Sequence, residues 1–259
     1  MNFIDELFSL KGKTAAVIGG GGVLAGAMAL GLAKAGADVA ILDLNRENAD
    51  KRADEIRKIG SKAIAVSVDA TSKQQLQQAD EKIFSELGPA SILINASGIN
   101  SSTPFFDISE EEWQKILNVN LKSVFLAAQV FAKRMIDAGV AGSIINISSA
   151  SSGPPLSKVF TYGITKAGIN NLTQYLAREW ATQGVRVNAI APGFFPAEQN
   201  RKILTPERVA DIMRHTPMNR FGEAEELVGA AVWLASEKAS SFVTGAIIRV
   251  DGGFTAMSI

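Results

Sequence analysis

Tyr162 and Lys166 are the two residues whose types and spacing most directly suggest chemistry. They stand four positions apart in a segment with a helical pattern, so both side chains lie on one face of the predicted helix. A neighbouring ammonium group favours the phenolate and lowers the pKa of a tyrosine, and a phenol tuned in this way can act as a general acid or base. A lone pair of this kind is more often an ordinary surface pair, so its interpretation depends on what lies nearby.

Polar residues follow several of the predicted strands, as they would around a ligand site. Ser149 comes directly after the fifth predicted strand and stands thirteen residues before Tyr162. Asn95–Gly98 come directly after the fourth predicted strand, and a run of glycines comes directly after the first predicted strand. In a parallel sheet, ligands bind outside the carboxyl ends of the strands. We therefore expect these segments to meet Tyr162 and Lys166 at one edge of the sheet.

Four consecutive glycines, Gly19–Gly22, stand between a predicted strand and a predicted helix. Without side chains, their backbone N–H groups can approach a pyrophosphate at the start of the helix. The strict G-x-G-x-x-G pattern fails, because Leu24 occupies its last position. Asp43 ends the next predicted strand about 20 residues further on, where a carboxylate can bind ribose hydroxyls. A tight packing turn is the alternative, but the glycines and Asp43 together favour dinucleotide binding.

Short apolar segments alternate with helical patterns along nearly the whole chain. The seven predicted strands cover residues 14–18, 38–42, 63–68, 91–94, 143–147, 185–190 and 246–250, and the main predicted helices cover 23–35, 46–59, 72–87, 109–138 and 160–183. This alternation predicts an α/β doubly wound Rossmann fold, with a seven-stranded parallel sheet and helices on both faces, formed by one domain over residues 1–259. The stretch 191–206 has no strand or helix pattern, and loops of that length are usually functional lids.

The composition excludes several classes of protein. Lys+Arg and Asp+Glu both number 26, so the basic excess of a nucleic-acid binder is missing. The chain has no cysteine and one histidine, His215, which excludes disulfides, thiol catalysis and metal sites built from cysteine or clustered histidine. No metal is therefore expected. No serine stands in the G-x-S-x-G pattern of serine hydrolases, and His215 is interpreted as a structural or gating residue.

Membrane and export signals are not expected either. No stretch of 18 apolar residues is present, and the first residues lack the apolar segment of a signal peptide. We therefore expect a cytoplasmic protein whose partners are small molecules, without a membrane or a nucleic acid.

Over almost its full length the chain resembles the short-chain dehydrogenase/reductase family. The glycine-rich turn is similar to that of the family, although Val23 and Ala25 replace two of its glycines. Asp43 is similar to the acid that selects NAD over NADP, so NAD is the expected cofactor and NADP the less favoured one. The resemblance implies a dinucleotide site formed by Gly19, Gly21, Gly22, Val23, Leu24, Asp43, Asp69, Ala70, Asn95, Ala96, Ser97, Gly98, Tyr162, Lys166, Pro192, Gly193 and Phe195.

The same resemblance implies a catalytic set of Asn120, Ser149, Tyr162 and Lys166. In it, Tyr162 exchanges a proton with the substrate oxygen, and Lys166 lowers the tyrosine pKa and holds the nicotinamide ribose. Ser149 bonds the substrate oxygen, and Asn120 anchors a water in the proton relay. The family also implies a homotetramer, with contacts through the helices at 109–138 and 160–183 and through the C-terminal segment.

The stretch 191–206 and the segments after it are similar to a branch of the family that includes D-mannonate oxidoreductases and gluconate dehydrogenases. This implies oxidation of a secondary alcohol, or reduction of a ketone, on a sugar acid. Candidate substrate-binding residues are Ser151, Lys158, Gln199 and Arg201, with Arg201 as the carboxylate partner because a guanidinium can form two parallel bonds to it. A polyol or 3-oxoacyl-type reductase of the same family, and a regulator that binds a dinucleotide without catalysis, remain alternatives.

Overall fold

A computed structural model describes residues 2–196 and 205–257 of the chain. The strands are β1 (Thr14–Ile18), β2 (Asp38–Asp43), β3 (Ala63–Ser67), β4 (Ala90–Asn95), β5 (Gly142–Ile147), β6 (Val185–Pro192) and β7 (Ile247–Val250). The α-helices are α1 (Phe3–Phe8), α2 (Val23–Lys34), α3 (Arg46–Lys58), α4 (Lys73–Leu87), α5 (Glu110–Leu117), α6 (Ser123–Asp137), α7 (Phe160–Trp180), α8 (Pro206–Arg214), α9 (Val228–Ala235) and α10 (Glu237–Ser240).

The seven strands form one parallel sheet in the order β3-β2-β1-β4-β5-β6-β7. Strands β2 and β3 are added on one side of β1, and the chain then crosses over so that β4 and the later strands are added on the other side of β1. Crossover connections leave a crevice at such a reversal, outside the carboxyl ends of the two central strands. Ile18 of β1 is in register with Asn95 of β4, so the glycine run and Asn95–Gly98 leave the sheet side by side.

Each face of the sheet is covered by helices. Along β1, Ala15 and Val17 pack into one apolar cluster, whereas Ala16 and Ile18 pack into another on the opposite face. Helices α2, α3 and α9 supply the first cluster, and helices α4, α6 and α7 supply the second. Because both faces are buried, most positions of the central strands are apolar instead of alternating with polar ones. The predicted Rossmann fold with its seven parallel strands is confirmed.

The structure differs from the predicted elements mainly in the last third. The stretch 191–206 begins as the end of β6 and finishes as the start of α8, whose first turn is capped by Thr205 and opened by Pro206. Helices α1, α9 and α10 were not predicted, because they are short and depend on packing more than on periodicity. The predicted helix 109–138 is two α-helices, α5 and α6, joined by a π-turn at Asn118–Lys122.

One sheet takes its strands from residue 14 to residue 250, and this supports the prediction of one domain over the whole chain. None of the helices in the described residues combines the length and the apolar content needed to cross a bilayer.

Candidate active site

Helix α7 carries both residues of the Tyr–Lys pair, with Tyr162 in its first turn and Lys166 one turn later. The Lys166 side chain is 3% exposed. Its Nζ donates a hydrogen bond of 2.7 Å to the carbonyl oxygen of Ile147, the last residue of β5, and lies 5.3 Å from the centre of the Tyr162 ring. Lys166 is therefore buried and fixed to the end of a central strand, and Tyr162 lies half-buried beside it, unlike the residues of a surface pair.

Burial controls the proton equilibria of both residues. Removal of Lys166 from water lowers its pKa to about 8, because the buried ammonium loses its hydration. Burial raises the pKa of Tyr162 above its usual range, and a hydrogen bond with Ser149 only partly opposes this. The net direction is therefore opposite to the one expected from a neighbouring ammonium alone, because desolvation of the phenol is the largest effect on its pKa. Tyr162 is consequently a neutral phenol at neutral pH, able to donate a proton.

Ser149 follows β5 and is held in place by its own loop. Its Oγ accepts hydrogen bonds from the backbone N–H of Ser151 at 3.1 Å and from the Ser151 hydroxyl at 3.0 Å. Ser152 donates to the Ser149 carbonyl oxygen at 2.7 Å and accepts a bond of 2.8 Å from Asn170 on α7. These contacts tie the loop of Ser149 to the helix that carries Tyr162. The Ser149 hydroxyl and the Tyr162 phenol are therefore held at a fixed separation.

Asn120 lies in the π-turn and is completely buried. Its Oδ1 accepts the N–H of Ile99 at 2.8 Å, while its Nδ2 donates to the Ile99 carbonyl oxygen at 2.9 Å and to Thr165 Oγ1 at 3.1 Å. Asn120 therefore joins the loop after β4 to the residue next to Lys166. Both hydrogens of the Asn120 side-chain amide are used in these bonds. A water held at Asn120 therefore has to donate to one of the carbonyl oxygens of this residue.

Gly98 brings the loop after β4 close to the catalytic helix. A methyl group placed on Gly98 would lie 3.6 Å from Asn120 Oδ1 and 3.7 Å from Lys166 Nζ. Upstream, Asn95 donates to Asn146 at 2.8 Å, and Asn146 donates to Thr173 at 2.9 Å, which links β4, β5 and α7 through a buried polar chain.

The glycine run has the geometry of a cradle for a phosphate group. Gly19 has φ 74°, and a Cβ at this position would lie 3.0 Å from the backbone of Ala96, so only glycine fits without strain. A Cβ on Gly21 would lie 2.7 Å from Asn48 Cβ and 2.9 Å from Asp43 Oδ2. Gly22 precedes α2 as its N-cap without a side-chain cap. The first N–H groups of α2, beginning at Val23 and Leu24, thus remain available to an anion.

Two carboxylates stand at the ends of the next strands. Asp43 at the end of β2 accepts the N–H of Gly21 at 3.0 Å and the N–H of Asn45 at 2.9 Å, so its orientation is fixed by two backbone donors. Asp69, two residues after β3, accepts both the N–H and the hydroxyl of Thr71, at 2.8 and 2.7 Å, and Ala70 lies beside it. Together with the glycine cradle, this donor and acceptor set fits an adenine dinucleotide.

The remaining candidates are distributed around this centre. Ser97 lies within hydrogen-bond distance of Ser123, at 3.2 Å. After β6, the N–H of Gly193 bonds to Val250 at 2.9 Å, and the Phe195 ring lies against Gly222. Among the candidate substrate-binding residues, Ser151 is buried, whereas Lys158 is exposed with φ 64°. Gln199 and Arg201 lie outside the described residues.

Several residues of the centre were not among the sequence candidates: Ile99, Asn146, Ile147, Thr165 and Thr173. One signal was available, because Asn146 interrupts the otherwise apolar β5, and a buried polar side chain needs a partner. The other contacts involve backbone groups or residues far apart in the chain, and no local pattern marks them.

Comparison with known proteins agrees with this geometry. A family model described as enoyl-(acyl carrier protein) reductase matches residues 22–255. The gluconate 5-dehydrogenase of Gluconobacter oxydans is 36% identical over 251 residues, covering 96% of this chain and 97% of that protein. The chain belongs to the short-chain dehydrogenase/reductase family. The predicted family resemblance is thereby confirmed.

Solved structures of other short-chain dehydrogenases/reductases have the same fold. A gluconate 5-dehydrogenase from Burkholderia cenocepacia, in complex with NADP and tartrate, superposes with a TM-score of 0.93 at 35% identity, covering 98% of this chain and 100% of that chain. A candidate D-mannonate oxidoreductase from Haemophilus influenza, with bound NAD, gives 0.92 at 38% identity and covers 98% and 99%. As a family member, this short-chain dehydrogenase/reductase is an oxidoreductase of CH–OH groups that uses a nicotinamide dinucleotide.

Tyr162→Phe tests the phenol as the proton donor. General acid–base contributions are typically about 10²–10⁴-fold, so kcat should fall by at least that range while the affinity for the dinucleotide changes little. Steady-state kinetics and cofactor titration measure the two effects. Tyr175→Phe, at the other tyrosine, which is 65% exposed on the same helix, is the matched control and should keep wild-type kcat. Retention of most of kcat in Tyr162→Phe would place the proton donor elsewhere.

Proposed function

We propose that the protein is an NAD-dependent dehydrogenase that interconverts a secondary alcohol and a ketone on a sugar acid. The observation that carries the proposal is a neutral, half-buried phenol at Tyr162, beside the Ser149 hydroxyl and one turn from the buried Lys166. The names of the relatives support the substrate class, since they refer to gluconate and mannonate.

The roles of the side chains follow from their protonation and contacts. Ser149 and Tyr162 together bond the substrate oxygen. Tyr162 donates its proton as a carbonyl is reduced, and in the direction of alcohol oxidation it first loses that proton and then accepts one as the phenolate. When bound, the nicotinamide dinucleotide supplies the hydride chemistry. Lys166, whose pKa is about 8, carries a proton that exchanges readily near neutral pH. Asn120 keeps the loop after β4 against Thr165 and so keeps Gly98 close to Lys166 Nζ.

The preference for NAD rests on the charge at the end of β2. The Asp43 carboxylate is fixed beside Gly21, where it bonds to a free ribose hydroxyl but repels a phosphate at that position. Arg46 is the first residue of the following helix, and its Nε already bonds to Asp50 at 2.7 Å. The guanidinium is thus partly engaged before any phosphate arrives.

Titration of the protein with NADH and NADPH should give the lower dissociation constant for NADH. Asp43→Asn removes the charge and should reduce this discrimination, because the repulsion of the 2′-phosphate is lost. Asp38→Asn, at the opposite end of the same strand, is the control and should leave the ratio unchanged. Tighter binding of NADPH by the wild type would contradict the proposed preference.

A screen of cofactor-linked oxidation tests the substrate class. D-Gluconate and D-mannonate should be oxidised with kcat/KM at least tenfold higher than D-glucitol and D-mannitol, which carry CH₂OH in place of the carboxylate. Higher activity on the polyols would favour a polyol dehydrogenase, and activity confined to 3-oxoacyl esters would favour an acyl reductase. Dinucleotide binding with no oxidation of any alcohol would favour a regulator.

We propose a homotetramer, as the family resemblance implies. An apolar groove between α6 and α7 supports it, with Leu121, Phe125, Leu172 and Tyr175 among its lining residues. Phe125 is 43% exposed and adds an aromatic ring to the apolar surface of this groove. Light scattering should give about four times the chain mass of 27.4 kDa, and a mass near 27.4 kDa at micromolar concentration would contradict the proposal.

The cytoplasmic location that we expect from the sequence stays a prediction.

A further inference from the structure

A cavity of about 600 Å³ lies next to the catalytic loop, in the size range of small-molecule sites. Three segments form its walls: Pro154–Ser157, helix α8, and the C-terminal turn around Phe254. Phe194, which follows Gly193, completes the wall and packs edge-on against Phe254 with 5.2 Å between the ring centres. Two of these walls are continuous with residues of the candidate site, since Pro154 follows the Ser149 loop and Phe194 follows β6.

Four ionisable side chains face this cavity, and three of them are already engaged. Arg214 forms an ion pair with Asp211, and His215 lies with its Nδ1 3.0 Å from the Asp211 carbonyl oxygen. Arg208 differs from the others. Its guanidinium contacts only the hydroxyl of Ser157 at 2.9 Å and the Ser157 carbonyl oxygen at 3.5 Å, and no carboxylate of the described residues pairs with it.

A guanidinium that has no carboxylate partner among the described residues, in a pocket lined by both apolar and polar side chains, is suited to an anion. Its planar set of donors matches a carboxylate with two parallel bonds, and such bonds to charged groups are among the stronger ones in proteins. The bond to Ser157 keeps the group directed toward the loop after Ser149 while leaving other N–H donors free. Lys158 and Ser151, selected from the sequence, do not line the cavity.

We propose that Arg208 binds the carboxylate of the substrate in this cavity and thereby selects sugar acids over neutral polyols. The inference rests on the proposed function, whose substrate it specifies. Arg208 is the candidate for this role that faces the cavity, and Arg201, expected from the sequence, lies outside the described residues. The alcohol or ketone carbon then extends from the cavity toward Ser149 and Tyr162, with the carboxylate held at the far end.

Kinetics on D-gluconate with matched variants test this assignment. Arg208→Gln removes the charge but keeps a donor for Ser157, and should raise KM about 10–100-fold with kcat changed less than about threefold. Arg208→Lys should recover part of the loss. Arg57→Gln, on α3 and already paired with the carboxylate of Asp54, is the control and should stay within about threefold of wild type. A KM in Arg208→Gln equal to that of wild type, or an equal rise in Arg57→Gln, would overturn the assignment.

Binding of tartrate, a small hydroxy acid, separates this inference from the proposed function. Calorimetry with NADH present should show tartrate binding to the wild type and a loss of at least tenfold in affinity in Arg208→Gln. A wild type that binds tartrate through Arg208 but oxidises no sugar acid would contradict the proposed function alone. Unchanged tartrate affinity in Arg208→Gln, or a wild type that binds neither tartrate nor a sugar acid, would overturn the carboxylate site.

Discussion

The hydrogen bond from Lys166 Nζ to the carbonyl oxygen of Ile147 is the contact on which the site depends. A lysine buried without a carboxylate partner is costly, and a buried charge persists only where polar groups replace its hydration. Here the acceptor is the last carbonyl of a central strand, so the ammonium position is set by the sheet itself. Ile147 takes one of three N–H donors, and the rest of the group faces Gly98 and the open end of the sheet.

The polar residues around Lys166 hold the neighbouring segments in fixed positions around its buried ammonium group. Asn120 fixes the loop after β4 to Thr165, and the chain Asn95–Asn146–Thr173 joins two strands to α7 in the interior. Such networks are rigid when satisfied, because each member has a specific geometry and no water to substitute for it. The catalytic helix is therefore tied to the sheet by directional bonds as well as by apolar packing.

The sequence predicts the fold closely but the electrostatics only in part. All seven strands and the parallel sheet follow from apolar segments and glycine turns, because these signals are local. The quartet of Asn120, Ser149, Tyr162 and Lys166 can be selected from spacing and resemblance, and the structure brings them to one edge. The direction of the Tyr162 pKa shift could not be predicted, since desolvation depends on what covers the ring. Arg208 was not selected from the sequence, because its place in the cavity and its lack of a carboxylate partner among the described residues are visible only in the folded chain.

The π-turn at Asn118–Lys122 also limits how the length of the chain can vary. A turn closed by i→i+5 bonds holds one residue more than an α-helical turn. Loss of one residue there would convert the wide turn into an ordinary α-helical turn and remove the geometry that holds Asn120 opposite Ile99. Surface loops of this protein can gain or lose residues at little cost, whereas the turn that holds the buried Asn120 has a fixed residue count.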